Sequence, residues 1–169
     1  MAEKIFFKEI DSLSNLVSDY LYNSDKLTEF MSEFQVIENF KKSIDNRQEV
    51  NRDLLVGQLL TQNKGMHINS LNNIELIKSK TTFTVTTGHQ ICLFTGPLYS
   101  LYKIVSIINL AKKLKKEYPN NDFVPVFWMA TEDHDSAEIN HIHFKDKKIT
   151  WNSKQKGPVA SFKLDDVSS

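Results

Sequence analysis

Two short clusters hold the residues best equipped for chemistry. The first is Thr87-Gly88-His89-Gln90, followed closely by Thr95-Gly96-Pro97-Leu98-Tyr99, and it contains two of the chain's five glycines. Glycine lets a backbone turn sharply or approach a ligand, and a histidine beside it can hydrogen-bond a phosphate or exchange a proton. Pro97 near the first position of a helix leaves free N–H groups that suit an anion. Gly88, His89, Gln90, Thr95, Gly96 and Tyr99 are therefore expected to line a phosphate or carboxylate cradle. The plainer alternative is a tight strand-to-helix connection whose histidine only caps a backbone group. The loop is neither a P-loop, because no Gly-Lys-Ser/Thr follows, nor the Gly-x-Gly-x-x-Gly dinucleotide fingerprint.

The second cluster is Glu132-Asp133-His134-Asp135, with Glu138, His141 and His143 behind it: four acids and three histidines within twelve residues. Such a run can act as general base, orient an amine, or hold a magnesium–nucleotide complex. Asp133, His134 and Asp135 are expected to take a catalytic or substrate-binding role. His141 and His143, at strand spacing, are read as an exposed face, and no tightly bound metal is expected. Cys92, the only cysteine, lies in the first loop near His89, which raises a nucleophilic thiol. Its apolar neighbours Ile91, Leu93 and Phe94 favour a small, half-buried packing role instead. Lys103 and Ser106, one turn apart, are within reach of the same crevice, although solvation explains them equally well.

The elements that must position these clusters follow from periodicity. Thr82 to Thr86 alternates β-branched and aromatic residues and reads as a strand, and so does Phe123 to Ala130. Between them, Leu98 to Tyr118 carries apolar residues at Leu101, Ile104, Val105, Ile108, Ala111 and Leu114, a helical period, with lysines in its last turns and Pro119 as its stop. Strand, helix, strand makes one βαβ unit, and its two loops belong at the carboxyl rim of a parallel sheet, where α/β folds assemble ligand sites. Pro125 lacks a ladder donor and is expected near the beginning of its strand. Asn140 to Phe144 and Lys148 to Trp151 flank a hairpin turn, with Trp128 and Trp151 assigned to packing. Residues 1–80 read as a helical segment, with Leu13, Val17, Tyr20 and Leu21 in one core-facing stripe and Leu27, Phe30, Met31 and Phe34 in another. Short helices are expected over Asp53–Gln62 and from a cap at Ser70 through Ile77. Residues 81–169 are expected to be the first part of an α/β core. Two parallel strands, one helix and a hairpin make an incomplete sheet, which suggests a fragment.

Composition narrows the function classes. Lys plus Arg and Asp plus Glu are equal at 21 each, so no global field attracts nucleic acid or an anionic membrane. No stretch has the apolar length of a membrane span, and the amino terminus lacks a signal peptide's apolar region, so the chain is read as cytoplasmic. A single cysteine excludes an internal disulfide framework. Residue chemistry alone leaves open an enzyme of bond formation, a metal-dependent phosphohydrolase using the Asp-His-Asp loop, and a noncatalytic nucleotide-binding domain.

The continuous segment from Thr86 to Phe144, with both loops and the helix between them, resembles the bacillithiol biosynthesis family BshC. The resemblance implies a Rossmann-like core related to nucleotidylyltransferases and class I aminoacyl-tRNA synthetases. It also implies that this chain is an amino-terminal portion of a longer enzyme that dimerises through a helical region absent here. The implied activity is a ligase reaction, joining L-cysteine to glucosaminyl-malate by an amide bond to make bacillithiol. A free carboxylate must be activated for that, and ATP is the natural cosubstrate. On this analogy Gly88, His89 and Gln90 line the crevice, with His89 stabilising charge on a leaving phosphate. Asp133, His134 and Asp135 face it, recognising the amine of cysteine or taking a proton from the amino sugar.

Overall fold

The computed structural model describes residues 6–9, 13–31, 36–92 and 96–166. The chain divides into two compact units, 1–49 and 50–169. In the first, helix α1 (Asn15–Leu21) begins where the Ser14 hydroxyl accepts from the Val17 N–H, and α2 (Phe40–Asp45) follows several single 3-10 turns. The expected core-facing stripes are not buried here. Val17, Tyr20 and Leu21 are exposed, Phe30 is exposed, and only Leu27 of the second stripe is buried, in a 3-10 turn rather than an α-helix. A periodic stripe needs a facing surface to bury it, and these short helices supply none. Phe34 lies outside the described residues.

The second unit starts earlier than the expected boundary at residue 80. Helices α3 (Arg52–Gln62) and α4 (Ile68–Leu76) supply Val56, Ile74 and the adjoining Ile77 to one buried cluster with Val124, so residues 50–80 pack with the sheet. Asn51 caps α3, accepting from the Leu54 N–H at 3.0 Å, and Gly65, with φ of 85°, closes the turn that follows. Helix α4 begins at Ile68 rather than Ser70, because His67 Nδ1 accepts from the Asn69 N–H. Arg52 ties this helical layer to the sheet. Its guanidinium donates to the carbonyls of Ile77 (2.6 Å), Ser79 (2.7 Å) and Thr82 (3.0 Å).

Strand β1 (Thr82–His89) pairs in parallel with β2 (Asp122–Met129), with Thr82 opposite Asp122 and His89 opposite Met129. The crossover is α5 (Leu98–Glu117), which buries Ile107, Ala111 and Leu114. Lys115 pins the helix end to the start of β2 through Asp122 at 2.9 Å. Alternate β2 residues face different partners: Val124 and Val126 join the α3–α4 cluster, whereas Phe123 and Pro125 line a groove with Ile108 and Ala111 of α5. Covering on both faces is what a parallel sheet requires. Pro125 sits in the middle of β2, not at its beginning. Among the described residues β2 has a neighbour on one side only, so a missing donor is tolerated.

Beyond β2, the short helix α6 (Ser136–Ile139) leads into a hairpin of β3 (His141–Phe144) and β4 (Lys147–Thr150). Lys145 and Asp146 have φ of 47° and 62°, the two positive values of a type I′ turn. Trp151 is buried and meets the Phe162 ring edge-on, as expected of a packing residue. Trp128 is not: it is 61% exposed at the end of β2.

Candidate active site at the carboxyl ends of the parallel strands

Parallel pairing brings both loops to one rim. The last ladder positions are His89 and Met129, and the Ala130 N–H donates to the His89 carbonyl at 3.1 Å, so the first loop and the acidic segment leave the sheet side by side. An open groove of about 920 Å³ between α4 and α5 reaches only the opening residues of β2, Asp122, Phe123 and Pro125, and belongs to the opposite end of the sheet.

At the rim, side chains far apart in sequence form one hydrogen-bonded network. Tyr99, in the first turn of α5, donates its hydroxyl proton to Glu138 Oε1 at 2.7 Å. Gln90 Nε2 donates to the other carboxylate oxygen, Glu138 Oε2. His89 Nε2 lies 3.0 Å from the Tyr99 oxygen and 3.4 Å from Glu138 Oε1. Since Tyr99 gives its only proton to Glu138, its oxygen is left to accept, and His89 Nε2 is the donor. On the other side of the ring, Nδ1 lies 3.0 Å from the Gln90 carbonyl and 3.3 Å from Cys92 Sγ. His89 is 7% exposed, and both ring nitrogens face protein groups.

Electrostatics follow from these contacts. Hydrogen bonds from Tyr99 and then Gln90 hold the Glu138 carboxyl below the ordinary glutamate range, against its partial desolvation and the nearby Asp133 charge. The same bond raises the Tyr99 hydroxyl above its usual value. Burial, then the Glu138 charge, pushes the Cys92 thiol up, while Ser100 and the Lys103 ammonium act in the other direction. A thiol held in its protonated form suits packing rather than nucleophilic attack. Cys92 also explains Gly96. That residue has φ of 68°, and a Cβ there would lie 2.5 Å from Cys92 Cβ and 2.8 Å from its sulfur.

Gly88 has a different task. It lies within β1 and is not among the residues with positive φ, so it makes no sharp turn. A Cβ on it would meet the Trp128 carbonyl oxygen at 2.8 Å, and the close approach it permits is to the neighbouring strand. Its own carbonyl accepts from Lys103 Nζ at 3.2 Å, which brings that lysine to the rim, with its ammonium 5.4 Å from the centre of the Tyr99 ring. Thr95 lies outside the described residues.

The acidic run bonds to its own backbone. Asp133 Oδ1 accepts from the Asp135 N–H, Asp135 Oδ1 accepts from the Glu138 N–H, and the Asp133 carbonyl accepts from the Val159 N–H at 2.8 Å. His134 is exposed. Glu138, not the Asp133-His134-Asp135 run, makes the side-chain contacts to the first loop. Its signal was the spacing Asp135-x-x-Glu138, a capping box. Asp135 fills its half of that box, but the Glu138 side chain turns away to Tyr99 and Gln90. His141 and His143 share a face of β3, with ring centres 5.5 Å apart. Among the described residues no group of three or more His, Cys, Asp and Glu could hold a metal ion, and no helix is long and apolar enough to cross a membrane.

A parallel βαβ unit with a polar network at its carboxyl rim defines an α/β domain of Rossmann-like type. The sequence profile described as "Bacillithiol biosynthesis BshC, N-terminal Rossmann-like domain" matches residues 2–169, and the chain belongs to that family. It is 48% identical over 162 residues to a protein of Flavobacterium psychrophilum provisionally named cysteine ligase BshC, an alignment covering 92% of this chain and 30% of that protein. A protein of the same provisional name from Flavobacterium johnsoniae is 49% identical over 86% of the chain, and one from Bacillus cereus is 37% identical over 79%. The chain spans less than a third of the length of these relatives, 30%, 29% and 26% in turn.

Proposed function

We propose that this chain is the amino-terminal part of a ligase that joins L-cysteine to glucosaminyl-malate through an amide bond. Membership of the BshC family supports the ligase class, and the relatives' shared name supports cysteine as a substrate. The single structural observation that carries the reading is the His89–Tyr99–Glu138–Gln90 network at the rim of the parallel strands. Amide formation from a free carboxylate requires activation, for which ATP is the proposed cosubstrate. The amine then attacks the activated carbonyl, the activating group leaves with the C–O electron pair, and the amine gives up one proton.

Each residue's share follows from its surroundings. Both His89 nitrogens are engaged by protein groups, so its role is to orient Tyr99 and thereby Glu138; reaching a leaving phosphate would require breaking one of those contacts. Lys103, which has donors beyond the one given to Gly88, is the cation available for an anionic group at the same rim. Asp133 contributes negative charge and the backbone connection to Asp135.

The test is cysteine addition by the complete encoded protein carrying His89→Ala or His89→Gln. Glutamine can place an N–H near the position of Nε2 but does not exchange protons. An orienting His89 predicts severe loss in the alanine variant and substantial recovery in the glutamine variant. An alanine variant that turns over at the normal rate would remove the network from the mechanism.

A further inference from the structure

We propose that Glu138 is the residue that binds the primary ammonium group of an amine substrate at this rim. The inference uses the ligase reading only to say which amines are present. The case begins with charge. Glu138 accepts from two neutral donors, Tyr99 and Gln90, so its negative charge is spread but not cancelled. Among the described residues no lysine or arginine pairs with it; His89 lies 3.4 Å away, and the Lys103 ammonium stands over the Tyr99 ring at the same rim without reaching the carboxylate. A carboxylate offers about four lone-pair sites, and the two short bonds leave the outward-facing ones free, on a side chain that is 42% exposed.

Orientation is already fixed. Tyr99 and Gln90 each hold one carboxylate oxygen, and Asp135 holds the Glu138 backbone N–H. An exposed glutamate ordinarily loses rotamer freedom when it binds, and this one has lost it beforehand. The Gln90 amide has one allowed orientation. Gln90 is 6% exposed, and its amide must turn Nε2 toward Glu138, since the reverse would set two oxygens against each other. Its Oε1 is thereby left buried with no donor. The open acceptor sites of the Glu138 carboxylate suit an ammonium, which offers only N–H donors, and they repel a phosphate or carboxylate.

Two amines enter the proposed reaction, the α-ammonium of L-cysteine and the amine of the sugar, and paired analogues separate them. Binding of L-cysteine against 3-mercaptopropionate, which lacks the amine, is measured by calorimetry on the complete protein and on Glu138→Gln. Glucosaminyl-malate against glucosyl-malate is measured in the same way. The wild type should favour the amine in one pair by on the order of ten- to a hundredfold, the range of a hydrogen bond to a charged group. In Glu138→Gln that preference should collapse while affinity for the amine-free analogue is kept; the pair that responds identifies the amine. Preference intact in the variant, no preference in the wild type for either pair, or equal loss for amine and analogue would each overturn the assignment. Should Glu138→Gln fail to fold, Glu138→Asp is measured instead, with a partial loss of preference expected and an unchanged preference counting against the assignment. Because these are binding measurements, a protein that selects the amine but adds no cysteine would overturn the ligase reading and leave this one standing.

Discussion

Arg52 offers the sharpest test of how the sheet is anchored. Its guanidinium reaches three backbone carbonyls, two of them partly buried at Ile77 and Thr82 and one exposed at Ser79. Arg52→Met keeps most of the apolar stem and removes all five donors. Hydrogen bonds to a charged group are worth roughly 1.5–3 kcal/mol each. Taking the low end for the two partly buried bonds and almost nothing for the exposed one gives about 3 kcal/mol. The loss falls where α4 ends and β1 begins, so it should appear as local opening of that strand. Native-state hydrogen exchange reads this directly: protection of the β1 amides from Phe83 to Gly88 should fall on the order of a hundredfold. Arg52→Lys should fall between, because an ammonium cannot reproduce the fork. Protection within about threefold of the wild type in Arg52→Met would show that the carbonyls are equally well served by water, and the anchoring argument would fail.

Further outcomes concern the rim. Tyr99→Phe removes the largest influence holding the Glu138 carboxyl low. A carboxylate whose pKa is depressed keeps its charge, and any amine affinity that depends on it, above the ordinary glutamate range and loses it as pH falls through the lowered value. The acid limb of amine binding should therefore move to higher pH in Tyr99→Phe, and a pH profile coincident with the wild type would contradict the assignment. Gly96→Ala faces a left-handed backbone costing roughly 1–2 kcal/mol and a clash with Cys92 Cβ. It should lower the thermal midpoint, and adding Cys92→Gly should recover only the part due to the clash; a single variant as stable as the wild type would refute the contact.

Much of this architecture was legible because short-range patterns encode it. The β-branched run at Thr82–Thr86, the apolar period of α5 with Pro119 as its stop, and the Lys145-Asp146-Lys147 break between two strand-like runs each specify a local geometry, although Lys147 itself opens β4. Two parallel strands joined by a helix must also leave their carboxyl ends on one rim, so the meeting of the β1 end at His89 with the acidic segment follows from topology. What the sequence could not supply is which side chain crosses that rim. Gln90 and Tyr99 reach Glu138 across 48 and 39 residues, a choice made by how α6 is set against α5. Asp133 and Asp135 each give one carboxylate oxygen to a backbone N–H, and Glu138 is the acid whose side chain meets Tyr99 and Gln90. Packing also decided that His89 is enclosed while Trp128 is exposed, that residues 50–80 join the sheet, and that, among the described residues, Val17, Tyr20, Leu21 and Phe30 stay exposed. Periodicity states which residues share a face; only the assembled layers state whether anything lies against it.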